Sequence, residues 1–125
     1  MAIKILIIDD EKDQIEILKA ILEHEGYETI VAYDGKSGVL RAKVEQPDLV
    51  ITDIVMPVMD GFKVAAEIRR SPQTSMTPLI MLTSRDSRED HYKGLSFNVF
   101  AYLDKPCDLN EFREVVKKAL SSKNA

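Results

Sequence analysis

Short apolar runs, each halted by a polar or acidic residue and each followed by a stretch of helical periodicity, recur five times along this chain and restrict it to one architecture. Ile3 to Ile8 is nearly unbroken and rich in β-branched residues, as expected of a strand covered on both faces. It stops at Asp9. Ile15, Leu18 and Leu22 then recur at helical spacing, widened by Ile17 and Ile21, and Gly26 ends that helix. The spacing predicts further strands over 28–32, 49–52, 79–83 and 99–103, and helices over 36–44, 62–70 and 87–96. Asp108 is placed to cap a last helix whose buried stripe is Leu109, Phe112, Val116 and Leu120. Parallel strands need helical crossovers, and these are right-handed, so the alternation reads as an α/β fold. A doubly wound parallel sheet of five strands with five helices is expected, as a single domain over 1–125 with a polar tail at 121–125.

A chain of 125 residues with 45% apolar and 30% charged side chains can bury a core without disulfides or a structural metal. The net charge of −4 opposes direct binding to nucleic acid, where affinity comes from cations neutralising phosphates. No apolar run approaches the about 20 residues needed to span a bilayer. Cys107 is the lone cysteine and Met1 leads straight into a strand-like run, from which a cytoplasmic location is expected.

In open α/β sheets the ligand site lies beyond the carboxyl ends of the strands. Here those ends are Asp9-Asp10-Glu11, Asp53, Thr83-Ser84 and Asp104-Lys105-Pro106. Carboxylates gathered in one place repel one another, so they must share protons or bind a cation. Mg²⁺, which takes oxygen ligands and keeps several waters, suits such a set, with Asp10 and Asp53 as ligands. The ion would screen the repulsion between the Asp53 carboxylate and an incoming phosphoryl group. Lys105 could hold a phosphoryl oxygen and the Thr83 hydroxyl could donate to another. Together these residues suit transfer of a phosphoryl group onto Asp53.

Four segments carry a resemblance to a known family: Ile7-Ile8-Asp9-Asp10-Glu11, Asp53 through Gly61 (DIVMPVMDG), Leu82-Thr83-Ser84 and Tyr102-Leu103-Asp104-Lys105-Pro106. In this order, each at a strand end, they resemble the response-regulator receiver domain of two-component signalling. The resemblance covers essentially the whole chain and implies a flavodoxin-like sheet of order 2-1-3-4-5. It also implies that Asp53 is the phosphoacceptor, that Asp9, Asp10, Asp53 and the Val55 backbone carbonyl organise Mg²⁺, and that Lys105 binds the phosphoryl group. Thr83 would then shift toward the phosphoryl oxygens and Tyr102 would turn inward behind it. The implied donor is a histidine kinase or a histidine phosphotransfer protein. The implied readout is the surface of the fourth helix, fifth strand and fifth helix, acting on a downstream protein or an attached output domain, in a monomer or a weak phosphorylation-linked dimer. Such a domain is a switch that promotes its own phosphorylation and dephosphorylation, not an enzyme acting on external substrates. A cis bond at Lys105-Pro106 is implied as well. The chain departs from the family in having Cys107 where Phe is frequent, and Phe100-Ala101 where winged-helix regulators carry an acidic pair.

Blander readings compete residue by residue. Asp10 alone would read as a helix cap, Thr83-Ser84 as a turn and Tyr102 as a strand aromatic. Their joint placement at the strand ends favours the site. Asp60-Gly61 reads as a turn and cap, Met56 and Met59 as loop packing, His24 and His91 as solvated, and Cys107 as a packing residue. A phosphorylation-independent pseudo-receiver is the main alternative, opposed by the full set Asp10, Asp53, Thr83 and Lys105. A flavodoxin-like cofactor binder would need a Gly- or Ser-rich cradle where Asp9-Asp10-Glu11 stands. An aspartyl phosphatase would carry a second Asp two residues after its nucleophile, where this chain has Val55.

Overall fold

The structure is a computed structural model that describes residues 2–83, 97–105 and 108–122. Its elements run β1 (Lys4–Ile8), α1 (Lys12–His24), β2 (Glu28–Ala32), α2 (Gly35–Glu45), β3 (Leu49–Asp53), α3 (Gly61–Arg70), β4 (Leu79–Thr83), β5 (Ala101–Asp104) and α4 (Leu109–Ser122). The strands form one parallel sheet of order β2-β1-β3-β4-β5, as the resemblance implied. Four helices lie among the described residues. The helix expected over 87–96 lies outside them, as do Ser84, Arg85, His91, Pro106 and Cys107.

Strand alternation divides the core into two layers. Leu6, Ile8, Val50, Leu79 and Met81 face α2 and α3, whose Val39, Ala42, Val64, Ala65 and Ile68 cover them. Ile5, Ile7, Leu49, Ile51, Ile80 and Leu82 face α1 and α4, covered by Ile15, Leu18, Leu22, Phe112 and Val116. Helices on both faces make the sheet doubly wound, and they explain why β1 and β3 read as continuous apolar runs.

Local chemistry sets the helix ends. Gly26 at φ +92° lets the chain leave α1 while the Tyr27 N–H bonds the Leu22 carbonyl at 3.1 Å. The Asp60 carboxylate accepts from the Lys63 N–H at 2.9 Å, and that of Asp108 accepts from Asn110 at 2.7 Å and Glu111 at 3.1 Å. Asp34 caps α2 by accepting from the Ser37 N–H at 2.7 Å, so α2 begins one residue before its expected start. β5 starts at Ala101, later than expected, because its register sets Ala101 opposite Ile80.

The register also brings the strand ends level: Ile8 lies opposite Thr52, Asp53 opposite Leu82 and Thr83 opposite Asp104. Asp9, Asp53, Thr83 and Lys105 therefore reach one edge of the sheet. No helix among the described residues is long and apolar enough to cross a membrane.

One loop residue works against its backbone. Val58 adopts φ +68° while fully exposed, so a β-branched side chain sits in a left-handed conformation with no burial to offset it. Asn tolerates that region better, and Val58→Asn is expected to raise stability by about 1 kcal/mol in urea unfolding, with an unchanged m value.

Candidate functional site

Asp9 leaves β1 with its N–H bonded to the Ala32 carbonyl at 3.1 Å, and its carboxylate accepts from the Glu11 N–H at 3.0 Å. The residue is fully buried, and Asp53 at the end of β3 is only 5% exposed. Lys105 follows β5, where its own N–H bonds the Thr83 carbonyl at 2.8 Å. From there its ammonium reaches Asp53 Oδ2 at 2.9 Å, Asp9 Oδ2 at 3.1 Å and Glu11 Oε1 at 3.8 Å. Asp10 is exposed, yet Asp9, Asp10, Glu11 and Asp53 each bring a carboxylate oxygen within 4.8 Å of the others.

Burial pushes the Asp9 carboxyl above its ordinary value, and the charge of Asp53 adds to this. The Glu11 N–H and Lys105 offset the rise only in part. For Lys105 burial is the largest single influence and acts downward, but its bonds and attraction to Asp53 and Asp9 together outweigh it and raise its pKa. The lysine is therefore firmly cationic at neutral pH. Among the described residues, one ammonium does not balance the four neighbouring carboxylates, and the remaining negative charge is presented by oxygen donors. That donor set fits a hard divalent cation such as Mg²⁺ better than a soft or nitrogen-seeking metal.

The other expected residues sit around this cluster. Thr83 is fully buried and follows Leu79 and Met81 in the alternation toward α2 and α3. Tyr102, half-buried, packs on that same side of the sheet. Val55, two residues past Asp53, is 63% exposed. Met56 is buried and Met59 packs beside it, in keeping with loop packing. His24 is exposed.

Glu11 stood in the acidic run expected at the end of β1, whereas the close approach at Gly61 was not read from the sequence. Glu11 joins the carboxylate group and supplies the N–H that orients Asp9. Gly61 does more than follow a cap: a Cβ there would lie 2.5 Å from the Asp53 carbonyl oxygen and 2.9 Å from Ile54 Cα. Its N–H bonds the Ile54 carbonyl at 2.8 Å, so the missing side chain lets α3 start directly against the backbone that carries Asp53.

A sheet with this order and this acidic edge belongs to a recognised class. Residues 5–117 match the model of the response regulator receiver domain, and the chain belongs to that family. It is 37% identical over 117 residues to the alkaline phosphatase synthesis transcriptional regulatory protein PhoP of Bacillus subtilis (strain 168). That alignment covers 94% of this chain and 48% of the relative, so the chain spans about half the length of the curated relative it matches. Among solved structures, a CheY-like response regulator receiver domain protein from Methanospirillum hungatei JF-1 superimposes with a TM-score of 0.92 at 28% identity, covering 99% of this chain and 98% of that one. The receiver domain of a sensor histidine kinase from Pseudomonas aeruginosa PAO1, determined with a magnesium ion in its active site cleft, gives 0.88 at 26% identity, covering 97% and 99%.

Two substitutions probe the site. A carboxyl whose folded pKa is raised opposes folding once ionised, so the contribution of Asp9 is best below its unfolded value of 3.8 and worsens as pH rises through the folded value. Asp9→Asn is therefore expected to raise the thermal midpoint at pH 7 without divalent ions, with the gain shrinking toward pH 4. For Gly61→Ala the neighbouring atoms are backbone and cannot yield, so a loss of about 1–3 kcal/mol in denaturant unfolding is expected.

Proposed function

We propose that this chain is a phosphorelay switch that accepts a phosphoryl group on Asp53. The observation carrying this reading is the 2.9 Å contact of Lys105 Nζ with the buried Asp53 Oδ2, made where three further carboxylates converge, Asp9 buried and Asp10 and Glu11 open to solvent. A purely structural ion pair would not need the excess of negative charge.

In the reaction, a carboxylate oxygen of Asp53 attacks the phosphorus of a phosphohistidine on the donor. The new O–P bond makes an acyl phosphate as the P–N bond breaks, and the imidazole leaves with the electron pair. Asp9, Asp10, Asp53 and the Val55 backbone carbonyl would hold Mg²⁺, which when bound offsets the charge of the transferring group. The magnesium ion in the cleft of the Pseudomonas receiver supports that assignment. Lys105, already on Asp53, needs only to pass from a carboxylate oxygen to a phosphoryl oxygen. Asp53 itself remains fixed by β3 and by the close start of α3.

The product is an added anion beside Thr83. The Thr83 hydroxyl donates to it, and Tyr102, on the same side of the sheet, follows into the space released. The donor is a histidine kinase or a histidine phosphotransfer protein in the cytoplasm. The surface around β5, α4 and the helix expected over 87–96 delivers the signal to a partner protein or an attached output domain. The chain thus works as a signalling switch and turns over no external substrate. The pseudo-receiver alternative is opposed by the assembled Asp9, Asp53 and Lys105 contacts, which such a module would not require.

Intact mass spectrometry after incubation with acetyl phosphate and Mg²⁺ tests this reading. A gain of one phosphoryl group is expected, abolished by Asp53→Asn and by a chelator. A folded protein that shows no gain, or a gain that survives Asp53→Asn, would rule it out.

A further inference from the structure

Arg69, the penultimate residue of α3, directs its guanidinium to five backbone carbonyls and brings together parts of the chain that are distant in sequence. Nη1 donates to the carbonyls of Thr77 at 2.6 Å, Ser75 at 3.2 Å and Thr74 at 3.5 Å, all in the turn that precedes β4. Nε donates to Phe97 at 2.8 Å and Nη2 to Asn98 at 3.2 Å, in the residues that lead into β5. The same turn is tied to α3 a second time by the buried Thr74, whose hydroxyl donates to the Ile68 carbonyl at 2.7 Å. The Phe100 N–H then bonds the Leu79 carbonyl at 2.8 Å, beside the β4–β5 ladder. The amino ends of β4 and β5 are thus fixed to α3. Their carboxyl ends carry Thr83, Asp104 and Lys105 at the acidic pocket.

We infer that Arg69 is the pivot of the switch, a positioning residue that anchors the amino ends of β4 and β5 so that a change begun at Thr83 is delivered to Tyr102. The inference rests on the phosphoryl-switch reading above and adds how the signal is kept from dissipating. Phe97 and Val99 pack on the core cluster that also holds Tyr102, so the residues Arg69 grips are in one body with the switch aromatic. Without the pivot, the chain ahead of β5 can slide and absorb the displacement. A guanidinium is suited to this because its rigid fork points several donors in different directions at once. Lysine, with one ammonium nitrogen on a flexible stem, cannot span both segments.

The test compares wild type, Arg69→Lys and Arg69→Met with Mg²⁺ and trifluoroberyllate, a phosphoryl mimic. Occupancy of the pocket is followed by the fluorine signal of the bound mimic, and the response by the Tyr102 ring resonances and amide exchange at Ala101 and Tyr102. At saturating mimic, the Tyr102 displacement is expected to fall to about half or less of wild type in both variants, with amide exchange faster by about tenfold. If Arg69→Met fails to fold, Arg69→Lys decides the question alone. A role in stability only would lower the melting point of the variants yet leave the Tyr102 displacement at full occupancy unchanged, and that result overturns the pivot. A wild-type protein that does not bind the mimic, or binds it with no response at Tyr102, overturns the switch reading and the pivot with it.

Discussion

Asp9 and Asp53 are held almost out of water and share one ammonium group, that of Lys105. Burial disfavours the charge of Asp9, and the neighbouring charge of Asp53 disfavours it further. Lys105 makes the arrangement tolerable, and it can do so only because β1, β3 and β5 end at the same level of a parallel sheet. The sheet withstands this cost because its middle is dry. Ile5 through Ile8 and Leu49 through Ile51 are fully buried, each side chain contributing about 1.5–3 kcal/mol. A central pair of strands covered on both faces can carry an unfavourable edge without losing the fold.

The same physics decided what could be read from the sequence. Apolar runs such as KILII and LVITD announce strands buried on both sides, and amphipathic stretches such as the one holding Ile15, Leu18 and Leu22 announce the helices between them. Because parallel strands point their carboxyl ends the same way, Asp9, Asp53, Thr83 and Lys105 could be gathered at one edge before any coordinate was known. Strand order came from the resemblance and not from the periodicity, since no local pattern says which strand lies beside which. Asp60 and Asp108 were legible as caps. Asp34 was not, because the glycine after it obscured the start of α2.

What stayed hidden depends on approach between parts of the chain that are distant in sequence, or on backbone angle. Gly61 looked like the end of an Asp-Gly turn, and its closeness to the Asp53 carbonyl exists only once α3 has docked. Arg69 lies in the last turn of α3, a common place for a cation, and drew no reading from the sequence. Its five carbonyl partners are assembled from two other segments, and burial lowers its pKa as those segments close over it. The strain at Val58 is likewise invisible in a one-letter code, since valine gives no sign of a left-handed φ.

The two ends of the sheet therefore differ in kind. At the amino end, β4 and β5 are bound to α3 through neutral carbonyls that gather around a single cation. At the carboxyl end, excess negative charge is held by one lysine and by the rigidity of the strands. If a phosphoryl group joins Asp53, the negative charge at that edge would rise further, with Lys105 the cation that contacts it among the described residues. Lys105 would then divide its bonds among more oxygens, and neutral donors such as the Thr83 hydroxyl would help to stabilise the remainder. Because Thr83 and Tyr102 lie on the same side of adjacent strands, the proposed movement of the first would change the space available to the second. On the proposed reading, a modification confined to one carboxylate would in this way reach the surface beside β5, provided the strands stay anchored at their other end.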